Sequence, residues 1–481
     1  MKVLFVGSEA NPYAKVGGLA DILGSLPHEL ARSGHDARLF LPGYQMILED
    51  PRWHAKKIAS RIQARVNTHW VQEFDLWQVD GPVPVYLIAT DRWFCDADRS
   101  EKVYQIGADP YLFFSVAVLE ATRTLKWKPD VVHAHDWQTG FIPVLMRERE
   151  PARWDQTATI FTIHNLAYQG EFGNEILEKL ELPSYLFNPS QLETYGGVNF
   201  LKSGCAYADA VTTVSPTYAE EIQTSQFGCK LEGLMRHLKA EGRLYGILNG
   251  IDTKFFDPER DPYLAEPFSA RRPEGKRACR KALLKEIGLE PMRGVPVAGV
   301  VTRLGHQKGM DLLLENAEEL LRHIQLVVLG TGDPVLATGF RHLQLHYPER
   351  CRFFEGFSEN LAPQIYAGSD IFLMPSYFEP CGLGQMIAMR YGTVPVVRGT
   401  GGLADTVFEG QNGFVFKHAE GTELVAAVAR AADAYRQSAV WKELMNKGMA
   451  TDFAWNGRKD EYLAVFEKAL AARRAPVALE A

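Results

Sequence analysis

Short apolar runs separated by amphipathic, helix-compatible stretches recur along this chain, and the series starts afresh past its midpoint. Val3–Val6, Ala37–Leu41, Val83–Ile88, Val131–His133, Ala158–Thr162, Ala210–Val214 and Leu244–Leu248 each read as a strand. Apolar runs of this kind alternating with helices point to a parallel sheet covered on both faces. After Asn249-Gly250-Ile251-Asp252 comes a polar, Pro- and Arg-rich stretch through Arg293. A second strand series follows at Val297–Val301, Ile324–Leu329, Arg352–Phe354, Ile371–Met374 and Val394–Val397. The pattern predicts an α/β chain of two doubly wound domains, 1–250 and 251–454, facing each other across a cleft. A last helix, about Asn456–Ala472 within 455–481, has no strand after it and is expected to cross back to the first domain. Ligands of such sheets bind beyond the carboxyl ends of the strands.

Bulk properties narrow the function classes. At 481 residues the chain is too long for one ordinary core. Its 46% hydrophobic and 23% charged residues are those of a globular protein, and a net charge of −7 argues against nucleic acid as the main partner. The densest basic stretch, Arg271–Lys281, reads most simply as a solvated helix face or linker. The six cysteines form no CxxC pair, which suggests a reducing compartment. The first residues are too few and too weakly apolar for a secretory signal, and no apolar run reaches the ~18 residues of a membrane span. The expectation is a cytoplasmic protein with no membrane partner.

Several strand ends carry chemistry-bearing residues. Pro375–Gln385 contains Glu379-Pro380-Cys381-Gly382-Leu383, and Gly399-Thr400-Gly401-Gly402 follows the next strand. Glycines there let backbone amides approach a ligand, and a helix start favours negative charge. A carboxylate beside such amides suits a ligand that is a sugar at one end and a phosphate at the other. Lys15-Val16-Gly17-Gly18-Leu19-Ala20-Asp21 follows the first strand. It is either a phosphate-binding turn with a mobile Lys or a Gly-rich turn with a surface Lys; it is neither GxGxxG nor a P-loop. Arg303 and Lys308, in Thr302–Gly309, can clamp a diphosphate, or Arg303 can pair with a carboxylate while Lys308 merely precedes a helix. A cation at a helix start opposes the dipole, so a nearby anion would explain it. His133-Ala134-His135-Asp136-Trp137 puts two imidazoles on one strand face. A metal site is one reading; a structural His with Asp136 in the cleft fits the open-sheet pattern better. His164 and Asn249 are ambiguous between buried structural groups and sugar ligands. Cys381 has no activating base and reads as packing.

Taken in order, Lys15–Asp21, His133–Trp137, Thr162–Asn165, Leu248–Asp252, Thr302–Leu304, Gln307–Gly309, Phe378–Leu383 and Thr400–Asp405 resemble the bacterial glycogen synthase and plant starch synthase family. They span nearly the whole chain. The resemblance implies a GT-B fold and transfer of glucose from ADP-glucose to the non-reducing end of an α-1,4-glucan such as glycogen. It implies retention at the anomeric carbon and neither metal nor other cofactor. By the same analogy Lys15, the Gly18 amide, Arg303 and Lys308 hold the donor phosphates. Glu379 and the amides after Cys381, at Gly382 and Leu383, bind the donor glucose, with Thr400 and Gly401 beside them. His164 and Asn249 line the glucose site, Asp136 lies near the acceptor, Asp21 is on the nucleotide side, and Phe357 matches an aromatic near the base. Val16, Gly305-His306, Tyr377 and Gly384 depart from common family residues. The last four bear on acceptor preference and donor nucleotide choice.

The chemistry requires charge stabilisation on a departing diphosphate, which Arg303, Lys308, Lys15 and helix starts can supply. Retention often uses two carboxyl groups, and the sequence shows no clear pair. A front-face reaction, in which the leaving phosphate takes the proton of the incoming hydroxyl, fits the residues better. Other readings are a GT-B enzyme using UDP-glucose or a small acceptor, a non-catalytic glucan-binding relative and, more distantly, a metal-dependent hydrolase built on His133 and His135.

Overall fold

The computed structural model describes residues 1–475, and the chain divides into two compact units. One comprises Met1–Val214, Ala219–Ile247 and the helix Trp455–Arg474; the other comprises Ser215–Tyr218 and Leu248–Ala454. Set against a boundary at 250, the second unit starts slightly earlier and also claims Ser215–Tyr218. Hydrogen bonds explain the claim: Ser215 Oγ donates to the Pro380 carbonyl at 2.6 Å, and the Thr217 N–H and hydroxyl donate to the Asp405 carboxylate at 2.9 and 2.6 Å. Residues 476–481 of the expected terminal segment lie outside the described residues.

The strands of the first unit are β1 (Lys2–Val6), β2 (Asp36–Pro42), β3 (Lys56–Arg65), β4 (Val71–Val79), β5 (Val85–Ala89), β6 (Val131–His135), β7 (Ala158–Ile163), β8 (Glu171–Phe172), β9 (Glu193–Thr194), β10 (Gly197–Asn199), β11 (Ala210–Thr213) and β12 (Leu244–Gly246). Nine of them form one sheet in the order β12-β11-β7-β6-β1-β2-β5-β4-β3, parallel except where β4 and β3 extend it antiparallel. β6 and β7 are buried along their whole length, which is why they read as continuous apolar runs. β3 did not: most of its residues are exposed and it is rich in Lys and Arg, the composition of a protected edge strand. β8, β9 and β10 form a small antiparallel sheet inserted after β7.

The second unit contains β13 (Val297–Val301), β14 (Gln325–Gly330), β15 (Cys351–Glu355), β16 (Ile371–Met374), β17 (Val394–Arg398) and β18 (Phe414–Phe416), all parallel in the order β15-β14-β13-β16-β17-β18. Side chains alternate between two cores. Ala298, Val300, Leu326, Val328 and Leu373 pack on one face, while Val297, Val327 and Leu329 pack on the other against Leu283, Leu284, Ile287 and Ile365. The basic stretch read as a solvated helix face or linker lies largely on a helix, Gly275–Ile287. Its basic residues are not simply solvated. The buried Lys276 ammonium donates to the carbonyls of Ala367, Ser369 and Tyr391 and to Thr393 Oγ1, and Arg280 pairs with Asp370 at 2.8 Å. Four oxygen acceptors offset the desolvation of that charge.

Candidate active site

In the second unit β13 and β16 are neighbours from which the chain winds outward in opposite directions, so their loops diverge at a topological switch point. The loop after β13 carries Arg303 and Lys308; the loop after β16 carries Glu379. A backbone contact joins the two loops, and Arg398, at the end of β17, braces the second of them. The Tyr377 N–H donates to the Gln307 carbonyl at 2.9 Å, Arg398 Nε donates to the Ser376 carbonyl at 2.8 Å, and the Arg398 guanidinium also donates to the Tyr377 carbonyl. Gly309 is left-handed (φ +66°), and a Cβ there would lie 2.0 Å from the Pro375 carbonyl oxygen, so only glycine allows this approach.

Lys308 Nζ donates to Glu379 Oε2 at 2.6 Å, and Ser376 Oγ donates to the same oxygen at 3.1 Å. Glu379 is 4% exposed. The anion that would account for a lysine at this loop-to-helix junction is therefore a protein carboxylate. Arg303, by contrast, is exposed and forms no ion pair among the described residues. Glu379 also anchors the neighbouring turn: the Gly402 N–H donates to its carbonyl at 3.2 Å, and a Cβ on Gly401 (φ +45°) would fall 2.0 Å from that oxygen. Thr400 immediately precedes the helix Gly401–Thr406, and Leu383 the helix Gly384–Arg390. Buried Gln385 donates to the carbonyls of Cys381 and Gly382, fixing the turn in which Gly382 is left-handed (φ +74°). Cys381 is buried, as its packing role requires. The structure thus gathers Arg303, Lys308, Glu379, Cys381, Gly382, Leu383, Thr400 and Gly401 at the ends of β13, β16 and β17. Two of the family departures touch each other: His306 stacks on Tyr377 with centroids 4.2 Å apart, and Asp311 accepts from both. Phe357 stands apart on the loop after β15, 77% exposed, and the buried Asn249 has no donor to its Oδ1 among the described residues.

The first unit has its own switch point between β1 and β6. The loop after β1 carries Lys15, whose Nζ pairs with Asp21 Oδ1 at 2.6 Å. Burial pushes the Asp21 carboxyl up, against the pull of Lys15. Gly18 opens the helix Gly18–Leu23, and a Cβ built there meets nothing within 4 Å. Sequence reading missed the residue that holds this loop. Glu9 is 2% exposed, and its carboxylate accepts from the N–H groups of Val16 and Gly17 at 2.5 and 2.8 Å and from the Tyr104 hydroxyl at 2.7 Å. Burial raises the Glu9 pKa, while those three donors oppose the rise. The only sequence signal was its place on the loop after the first strand.

Asp136 follows β6 with φ +56°, a left-handed geometry that side chains adopt at a cost. Its Oδ1 accepts from the His164 N–H at 2.8 Å, yet burial pushes its pKa up to about 7, with Glu9 adding a like charge nearby. His135 Nδ1 and His164 Nε2 are 2.9 Å apart, and His133 Nε2 lies 2.6 Å from Thr162 Oγ1. Burial lowers the His164 pKa to about 3 and holds His133 and His135 well below their ordinary value. Both imidazoles of the HxH run are thus buried, and burial disfavours their charged form. Among the described residues no group of His, Cys, Asp and Glu is arranged to hold a metal ion.

Residues 2–237 match the family model described as starch synthase catalytic domain, and residues 290–445 match glycosyl transferases group 1. A glycogen synthase of Desulforudis audaxviator is 44% identical over 98% of this chain and 97% of its own length. The chain belongs to the glycogen and starch synthase family. A second relative in that family, a glycogen synthase of Thermotoga maritima, is 43% identical, with 98% of this chain and 99% of that one covered. The catalytic domain of starch synthase IV from Arabidopsis thaliana, solved bound to ADP and acarbose, superposes with a TM-score of 0.90 at 32% identity, covering 98% and 99% of the two chains. Sucrose-phosphate synthase from Thermosynechococcus elongatus, at a TM-score of 0.62 and 16% identity over 98% and 99%, shares the fold alone. The family membership makes this chain a GT-B glycosyltransferase.

Proposed function

We propose that this glycosyltransferase moves glucose from ADP-glucose to the non-reducing end of an α-1,4-glucan, retaining the anomeric configuration and lengthening glycogen. The observation that carries the reading is the Lys308–Glu379 contact of 2.6 Å beside Arg303, which has no ion-pair partner among the described residues. The departing group is a nucleoside diphosphate, and fixed cations aimed at its oxygens stabilise charge as it develops. Arg303 and Lys308 do this in the second unit; in the first, Lys15 and the Gly18 amide offer the same kind of groups to a phosphate. Glu379 with the Gly382 and Leu383 amides orients the donor sugar, Thr400 and Gly401 shape the adjacent turn, and Phe357 serves the base. His164, neutral, presents Nδ1 to a sugar hydroxyl, Asn249 does the same through its amide, and Asp136 meets the acceptor. Asp21 steers Lys15.

Glu9 is engaged by three donors, and Glu379 by Lys308 and Ser376. Neither is free to act as a nucleophile, which favours the front-face course. The acceptor oxygen bonds to the anomeric carbon as the bond to the phosphate oxygen breaks, and the hydroxyl proton passes to that departing oxygen. In this reading protein cations supply the charge that a metal would otherwise provide, so no cofactor is required. No described helix is long and apolar enough to cross a membrane; we place the enzyme in the cytoplasm with glucan as its partner.

The test is nucleoside diphosphate release from ADP-glucose or UDP-glucose, with and without glycogen, in EDTA. Release from ADP-glucose that requires glycogen supports the reading. Release only from UDP-glucose, or loss of release on chelation, contradicts the donor or the cofactor assignment.

A further inference from the structure

A cavity of about 520 Å³ opens on the first unit where β11 and β12 begin, between them and the helix Trp455–Arg474. These strands run parallel to β7 and β6, so the cavity lies at the edge of the sheet opposite to Asp136 and His164. Arg147, Arg243, Lys468 and Arg473 line it with only Asp209 and Glu241 as opposing carboxylates.

Arg147 and Arg243 are committed to the fold. Arg147 holds Asp209 at 2.7 Å and the Trp154 carbonyl at 3.0 Å; Arg243 holds Glu241 at 2.7 Å and the carbonyls of Ala206 and Ala208. Asp209 Oδ2 also accepts from the Thr159 N–H and hydroxyl at 2.7 and 2.9 Å, which leaves Oδ1 facing Arg473. Arg473 reaches it only at 3.8 Å, and its buried Nε has no acceptor among the described residues. A buried guanidinium N–H without a partner is costly. Burial lowers the Arg147 pKa, and the charge of Arg473 adds to that effect against the pull of Asp209. Lys468 is exposed at the rim, its ammonium 5.2 Å from the Tyr245 ring centroid.

We infer that this cavity is a second ligand site, for a small phosphate-bearing molecule whose oxygens take Arg473 and Lys468 as donors. The size suits a small molecule rather than a lone ion, and the Tyr245 ring beside Lys468 offers a flat face to a sugar or base attached to the phosphate. Binding ties the helix Trp455–Arg474 to the edge strand β12 and its neighbour β11. The inference does not depend on the identity of the donor nucleotide.

Titration calorimetry with inorganic phosphate, glucose 1-phosphate and glucose tests it on the wild type and on Lys468→Gln, Arg473→Gln and Lys308→Ala variants. The two phosphate-bearing probes should bind, glucose alone should not, and each of the first two substitutions should weaken binding about tenfold, the worth of one charge-assisted hydrogen bond. Lys308→Ala, in the other phosphate clamp, should leave this binding unchanged. Lys468 is a surface residue, so its substitution leaves folding intact. Absence of binding to the wild type, or binding weakened only by Lys308→Ala, overturns the inference.

Discussion

The Lys308 ammonium sits 2.6 Å from the Glu379 carboxylate, joining the loops that follow two adjacent strands of the second unit. In the proposed reading the pair sets a cation and a buried anion against the diphosphate and the hydroxyls of a nucleotide sugar. Removing Lys308 takes away a donor to the leaving group and leaves Glu379 buried without its counter-charge. Lys308→Ala should lower kcat on the order of 10²–10³-fold, while Arg303→Ala, which strands no buried carboxylate, should lower kcat by a similar factor with an unchanged unfolding midpoint. The double variant Lys308→Ala/Glu379→Ala should fall well short of the sum of the two losses, because the residues act as a unit. Steady-state kinetics of Arg303→Ala, Lys308→Ala, Glu379→Ala and the double variant measures this; strict additivity of the Lys308 and Glu379 losses would show that the contact is incidental.

Asp136 gives the reaction a pH dependence near neutrality. Its carboxyl is pushed up to about 7 by burial, so it exchanges its proton within the physiological range. The kcat/KM profile should show an inflection near pH 7 that Asp136→Asn removes. Linkage fixes the stability effect too. A raised folded-state pKa contributes stability that is fully present below about pH 3.8 and is lost as pH rises through about 7. Relative to Asp136→Asn, the wild type should therefore become less stable across that window, by up to about 1.4 kcal/mol per pH unit. Thermal midpoints of both proteins at pH 5 and 8 test the sign.

The buried histidines act the other way. His164 is lowered to about 3, and His133 and His135 lie well below their ordinary value. Each contributes stability present above about pH 6.5 and lost as pH falls toward the folded value. Denaturant midpoints should drop between pH 6.5 and 5, and His133→Gln, which can keep a hydrogen bond to Thr162, should flatten that drop by about one proton's worth. An unchanged slope would mean that His133 titrates in the folded state.

Gly18 separates a need of the fold from a need of the ligand. A Cβ at Gly18 meets nothing within 4 Å, whereas one at Gly402 would lie 2.1 Å from the Cys381 carbonyl. Gly18→Ala should leave the unfolding midpoint unchanged within experimental error yet raise KM for the nucleotide sugar several-fold. Gly402→Ala should lower both stability and activity. Equal behaviour of the two variants would argue that Gly18 has no ligand to admit.

The parts of this fold that were legible in the sequence are those whose burial leaves a compositional mark. β6, β7, β13 and β16 are buried over all or nearly all of their length and contain no Asp, Glu, Lys or Arg. β3 is an exposed edge, and β18 is only three residues long, so neither carries such a mark. Glycine-bearing strand ends announced the loops of the second unit, because Gly309, Gly382 and Gly401 occupy backbone conformations that exclude side chains. Glu9 and Tyr104 were illegible for the opposite reason: a single carboxylate and a distant phenol converge only through the fold. Lys276 was misread because a basic stretch normally faces water, and four acceptors assembled from distant segments keep this one inside.

Retaining glucosyl transfer should depend on the clamp formed by Arg303 and Lys308. The most direct test is proton NMR of the product formed from ADP-glucose and a short maltooligosaccharide, read at the earliest turnover, for the wild type and for Lys308→Ala. A new α-1,4 anomeric signal should appear in step with ADP and be slowed on the order of 10²-fold or more in the variant. A β-linked product, free glucose in place of chain extension, or an undiminished rate in Lys308→Ala would contradict it.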